Sequence, residues 1–169
     1  MYVLVWLCLE TREAIVSPST VRPNSAWVVE QTELFLEETA TREIKPEIVM
    51  HDMDTKFTQD FKDTLTSRGV RTNALPKTSL NLNGRCGRFI ETIKLECLAK
   101  FIIFGKRHLD HLVSELVEYY NTARSHMERG HLPPVRDDDP DEVATVKLDE
   151  IEVKSYVGGL VKRFERRAA

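Results

Sequence analysis

The chain has 169 residues, 41% hydrophobic and 30% charged, with a formal net charge of -3. That is enough for one ordinary core, too mixed for wholesale disorder, and too acidic for a uniformly basic nucleic-acid binder. No apolar run approaches the roughly 18 residues of a membrane span, and Met1 to Leu9 lacks the basic start and small-residue cleavage site of a signal peptide, so no membrane partner is expected and the cytoplasm is the expected location.

Three cysteines, Cys8, Cys86 and Cys97, form no CxxC pair. Cys86 and Cys97 should share one helix about 16 Å apart, too far to bridge, so reduced thiols are expected. The charges are segregated. Arg71 to Arg107 holds eight Lys/Arg against two Glu, while Arg136 to Glu152 holds two Lys/Arg against eight Asp/Glu. The basic middle is either a phosphate-facing surface or a set of solvated helix faces.

Val3 to Leu9 is a continuous apolar run that reads as a strand, followed across Glu10-Thr11-Arg12 by a second strand at Ala14-Ile15-Val16. Pro18 and Pro23 end this hairpin. Asn24 or Ser25 can cap a helix carrying Trp27, Val28, Thr32, Leu34 and Phe35, with Glu30, Glu33, Glu37 and Glu38 on its outer face. Pro46 resets the chain before a short strand at Ile48-Val49-Met50, which places Asp52 at a strand's carboxyl end. Phe57, Phe61 and Leu65 then step by four through a short helix closed by Gly69, and Val70 to Leu75 is a strand stopped by Pro76.

From Asn81 or Asn83 a long helix is predicted as far as Gly105, because Cys86, Phe89, Ile90, Ile93, Cys97, Phe101 and Ile102 keep steps of three and four. A second helix from His108 buries Leu109, Leu112, Val113, Leu116, Val117 and Tyr120. The domain layout expected is 1-135 as one α/β domain, 136-147 as an acidic linker and 148-169 as a tail. In that tail Ile151 to Val157 and Leu160 to Phe164 flank Gly158-Gly159, the pattern of a two-residue hairpin, which should dock on the domain or on a partner.

In an α/β order of this kind functional groups belong at strand carboxyl ends, where Asp52 stands. Four motifs sharpen the reading: His51-Asp52-Met53-Asp54-Thr55-Lys56-Phe57; Ser79-x-Asn81-Leu82-Asn83 with Arg88-Phe89; Ile93-Lys94-x-Glu96-Cys97-Leu98; and Tyr119-Tyr120-Asn121-Thr122-x-Arg124-x-His126. Together they resemble the integrase catalytic core of DDE-type transposases and retroviral-type integrases, over roughly residues 2 to 134. Gly158-Gly159-Leu160-Val161-Lys162 also resembles the tail of insertion-sequence transposases.

The resemblance implies an RNase H-like mixed sheet flanked by helices. It also implies DNA strand transfer by two Mg2+ ions held on Asp, Asp and Glu, with DNA as partner. Carried over, Asp52 matches the second aspartate, the remnant catalytic and metal-binding residue, and the glutamate position before Arg-Phe falls on Gly87. The strand bearing the first aspartate is absent from the sequence, leaving two of three carboxylates missing, and Leu80 stands where the family usually has proline. That strand is central in the family's sheet, so either an imperfect closure of the gap or a weakly stable protein is expected.

Lys94 matches a family lysine that contacts DNA, and Lys56, Lys77, Arg85 and Arg88 are further candidates for phosphate contacts. Glu91, one turn after Gly87, is too far along the axis, about 6 Å, to replace the glutamate readily. Asp54 reads as a turn residue. His108 and His111 lack the cysteine pair that would complete a zinc site. The function expected is that of a degenerate transposase-like protein without strand transfer, or of a DNA-binding or oligomerisation module acting as a homo-oligomer or in mixed assembly with an intact transposase.

Overall fold

In the computed structural model, residues 1–42, 44–76, 84–135 and 147–167 are described. The chain divides into two units, one made of Met1–Val5 with Ser17–Arg88 and the other of Trp6–Val16 with Phe89–Ala169. Strands β1 (Val5–Leu7) and β2 (Ala14–Val16) pair, shorter than the apolar run suggested. The turn between them closes through Cys8 N–H to Glu13 O at 2.8 Å and Arg12 N–H to Cys8 O at 3.0 Å, with Arg12 at φ 68.

The first unit is built on α1 (Ser25–Thr41), whose N-terminus is capped by Asn24 Oδ1 accepting the Trp27 N–H at 2.8 Å. Val28, Thr32, Phe35 and Leu36 form the buried face of α1, whereas Leu34 is exposed. Pro46 precedes β3 (Ile48–His51), which pairs in parallel with β4 (Arg71–Ala74) in the register Ile48↔Arg71 to His51↔Ala74. Between these strands α2 (Gln59–Ser67) buries Phe61 and Leu65, and Gly69 at φ 76 turns the chain out of the helix. A left-handed residue there costs glycine nothing.

The expected long helix is divided. α3 (Gly84–Thr92) gives way at Ile93–Cys97 to a wider π-helical turn, in which the Leu98 N–H reaches back five residues to the Ile93 carbonyl, and then to a 3₁₀ turn at Leu98–Lys100. Phe89, Ile93 and Cys97 stay buried through the change. α4 (Gly105–Thr122) starts three residues earlier than predicted and buries Leu109, Leu112, Val113, Leu116, Tyr120 and Asn121.

The tail forms a hairpin of β5 (Ile151–Tyr156) and β6 (Val161–Arg166). Its turn is longer than two residues, because the last pair is Tyr156↔Val161 and the four residues Val157 to Leu160 close it. Val157 takes φ 53, an unfavourable value for a β-branched residue, and is wholly buried. The hairpin docks on α4: Glu115 Oε2 accepts the Val157 N–H at 2.5 Å, Arg163 Nη1 donates to Thr122 O at 3.0 Å, and the Tyr119 and Tyr156 rings lie 5.5 Å apart.

A mixed sheet lacking its central strand was expected, with the tail hairpin separate from it. The described strands instead make three two-stranded sheets, β1–β2, β3–β4 and β5–β6, with no strand among the described residues to join β1 to β3. No helix among the described residues is long and apolar enough to cross a membrane.

Candidate functional site

β3 ends at His51, so Asp52 leaves the strand at its carboxyl end. His51 is buried against Phe57 and Phe61, with ring centroids at 4.8 and 5.2 Å. Its Nδ1 lies 2.6 Å from the Asp52 carbonyl oxygen. A carbonyl only accepts, so Nδ1 carries the proton. This bond fixes the chain direction at the strand end, and with it the start of the Asp52 loop.

Two side-chain turns shape that loop. Asp52 Oδ1 accepts the Asp54 N–H at 3.0 Å, and Asp54 Oδ1 accepts the Lys56 N–H at 2.9 Å. Asp54 Oδ2 also takes the Lys56 ammonium at 2.7 Å. That side-chain bond and the Lys56 backbone N–H hold Asp54 below the usual carboxylate range. Asp54 is thus the turn residue expected, and Lys56 pairs with it while its side chain stays partly exposed.

Burial first, and the Asp52 charge second, push the Cys86 thiol up. Cys86 immediately precedes Gly87, the position on α3 where the resemblance puts a glutamate. Gly87 is exposed there, and a Cβ on it would meet nothing within 4 Å. The place for a longer side chain is open, and glycine supplies no ligand atom. Arg85 and Arg88 on the same helix are exposed, as are Lys94 in the π turn and Glu91. Lys77, Leu80 and the Ser79 to Asn83 motif lie outside the described residues, as does most of the acidic 136-147 stretch.

Two Mg2+ ions need several carboxylates converging within about 4 Å. The described residues contain no group of three His, Cys, Asp or Glu side chains able to hold a metal. Asp52 with one oxygen committed to a backbone N–H, a neutral thiol and a glycine do not fit such a pair of ions. His108 is used otherwise: its Nδ1 accepts the Phe104 N–H at 3.1 Å and its ring stacks on Phe104 at 5.8 Å.

The remaining motif residues fasten the second unit. Buried Asn121 accepts the Ala14 N–H at 2.9 Å and donates Nδ2 to the Ala14 carbonyl at 2.8 Å, which ties β2 to the end of α4. Arg124 grips Glu96 with both guanidinium nitrogens, one bond measuring 2.9 Å. That pair holds Glu96 below the usual carboxylate range. The Tyr120 ring meets Phe89 at 4.5 Å and His126 at 4.7 Å, so it is a core residue and not a stacking platform. Sequence reading named these residues without their partners. The signal was the run of polar types, Asn121 and Arg124, on an otherwise apolar helix end.

Residues 68–134 match the family model described as "Integrase core domain". Among solved structures, the chain is similar to one in the cryo-EM structure of the simian T-cell lymphotropic virus intasome in complex with PP2A regulatory subunit B56 gamma, at 15% identity and a TM-score of 0.64. That match covers 96% of this chain and 59% of the other, so this chain spans little more than half of its neighbour's length. At this identity the likeness is one of fold. No curated protein matches the chain. The family match takes in β4, α3 and α4, residues 68–134, somewhat under half of the chain.

Proposed function

We propose that this chain is a transposase- or integrase-type protein of a mobile element, on an RNase H-like fold, that binds DNA and has lost strand transfer. One observation carries the reading: the position on α3 where the resemblance puts the glutamate is Gly87, an exposed glycine with open space around it and no ligand atom. Strand transfer by two metal ions works by clamping the attacking and leaving oxygens between the ions. A single carboxylate cannot clamp two ions, so the chemistry stops while the fold persists. Exposed Arg85, Arg88 and Lys94 support retained binding to phosphates.

The test is nicking of supercoiled plasmid in Mg2+ or Mn2+, with Asp52→Ala as control. No nicking above the Asp52→Ala background is expected. Nicking that disappears with Asp52→Ala would overturn the loss of chemistry. A second reading, a DNA-binding or oligomerisation module that regulates an intact transposase by mixed assembly, draws on the same exposed cations and on the fold likeness to a chain of an intasome. It requires this chain to lower the activity of an intact transposase when the two are mixed.

A further inference from the structure

Strand alternation sorts the side chains of the β5–β6 hairpin onto two faces of different chemistry. One face carries Tyr156 and Arg163, which meet α4, together with Glu152, Lys154 and Glu165. Its charges are internally balanced, with Lys154 to Glu165 at 2.8 Å and Arg163 to Glu165 at 3.2 Å. The opposite face sets Ile151, Val153 and Ser155 across from Arg166, Phe164 and Lys162. It holds no carboxylate.

Phe164 is 68% exposed at the centre of that face, directly opposite Val153, which is 47% exposed. Lys162 and Arg166 stand two residues to either side of the ring, about 13 Å apart at the usual strand rise. Arg166 pairs with Glu150 at 3.1 Å just before β5 yet remains 56% exposed. Lys162 is exposed and has no ion pair among the described residues, and Arg167 adds an exposed cation beyond β6.

An accessible aromatic ring between cations suits a ligand that carries flat apolar faces along a chain of negative charges. We propose that this face of the hairpin binds single-stranded nucleic acid, a base stacking on Phe164 and Val153 while Lys162 and Arg166 take phosphates. Stacking is tolerant of sequence because every base has a π-face, and the cations make the contact salt-sensitive. The inference uses no residue of the Asp52 site and stands independently of the integration reading.

The experiment measures fluorescence anisotropy of a labelled oligothymidylate with the full chain, across a salt series starting at about 50 mM. The expected result is binding that Phe164→Ala weakens by about fivefold or more, that Phe164→Tyr retains, and whose salt slope Lys162→Ala lowers by roughly 0.7. No binding by the wild-type chain, or equal binding by wild type, Phe164→Ala and Lys162→Ala, overturns the proposal. So does loss of self-association in Phe164→Ala by sedimentation with oligonucleotide affinity unchanged, which would make the face a contact between two copies. Arg85, Arg88 and Lys94 are intact in these variants, so duplex binding through them is read separately.

Discussion

Replacing Gly87 by alanine should raise stability by about 1 kcal/mol, the cost of a glycine inside a helix. The residue lies within α3, is exposed, and a Cβ there meets nothing within 4 Å, so no clash offsets the gain. For a chain of this size that corresponds to a rise in Tm of roughly 2–4 °C. Glutamate meets the same open space and is also a better helix former. It adds a negative charge next to Cys86, whose thiol the Asp52 charge already pushes up. In metal-free buffer the Gly87→Glu gain should therefore be smaller than that of Gly87→Ala.

Magnesium should reverse the order. An ion held by the restored pair adds about 1.4 kcal/mol at ten times its Kd, a further shift of roughly 3–6 °C. The assay is thermal melting by circular dichroism in EDTA and in Mg2+, on wild type, Gly87→Ala, Gly87→Glu and Gly87→Glu combined with Asp52→Ala. A lower Tm for Gly87→Ala would refute the open helical site. A Mg2+ shift in Gly87→Glu that survives Asp52→Ala would refute the placement of residues 52 and 87 around one ion.

Asn121→Ala removes both bonds to Ala14 and leaves a buried N–H and C=O unpaired, at a cost of roughly 2–5 kcal/mol. A urea melt should show a much lower midpoint with an unchanged slope, and a loss under about 0.5 kcal/mol would sink the assignment. His126 supplies a pH dependence, because burial pushes its imidazole below the ordinary 6.5. The native state favours the neutral ring, so this stabilisation is complete above 6.5 and is lost as pH falls toward the lower folded value. His126→Gln should therefore lose less Tm than wild type between about pH 7.5 and 5.5. Equal losses would show that other groups carry the dependence.

Local rules made much of the fold legible. Asn24 caps α1, Gly69 closes α2, and β3 ends where Asp52 begins, because each depends on a few neighbouring residues. The π turn was hidden, since Ile93 and Cys97 stay on the buried side whether the turn is α or π. The hairpin turn was misread because the glycine pair suggested a two-residue loop, whereas Val157 enters the core beside Glu115 and moves the closing pair back to Tyr156↔Val161. Glu96 with Arg124 is a tertiary meeting that no local spacing announces.

The motif residues divide into a buried set and an exposed set. Asn121, Ile93, Cys97 and Tyr120 are buried, and Asn121 answers two backbone groups, so a change at any of them is paid in stability. Asp52 and Gly87 are exposed, and nothing packs on the Gly87 site. A glycine at that exposed helical position costs about 1 kcal/mol relative to alanine, against a total of roughly 5–15 kcal/mol for a folded domain. The residues that announce the integrase core are therefore mostly those that hold it together. Resemblance to the family reports mostly on the fastened interior, so a test of the proposed loss of strand transfer has to address the exposed positions, Asp52 and Gly87.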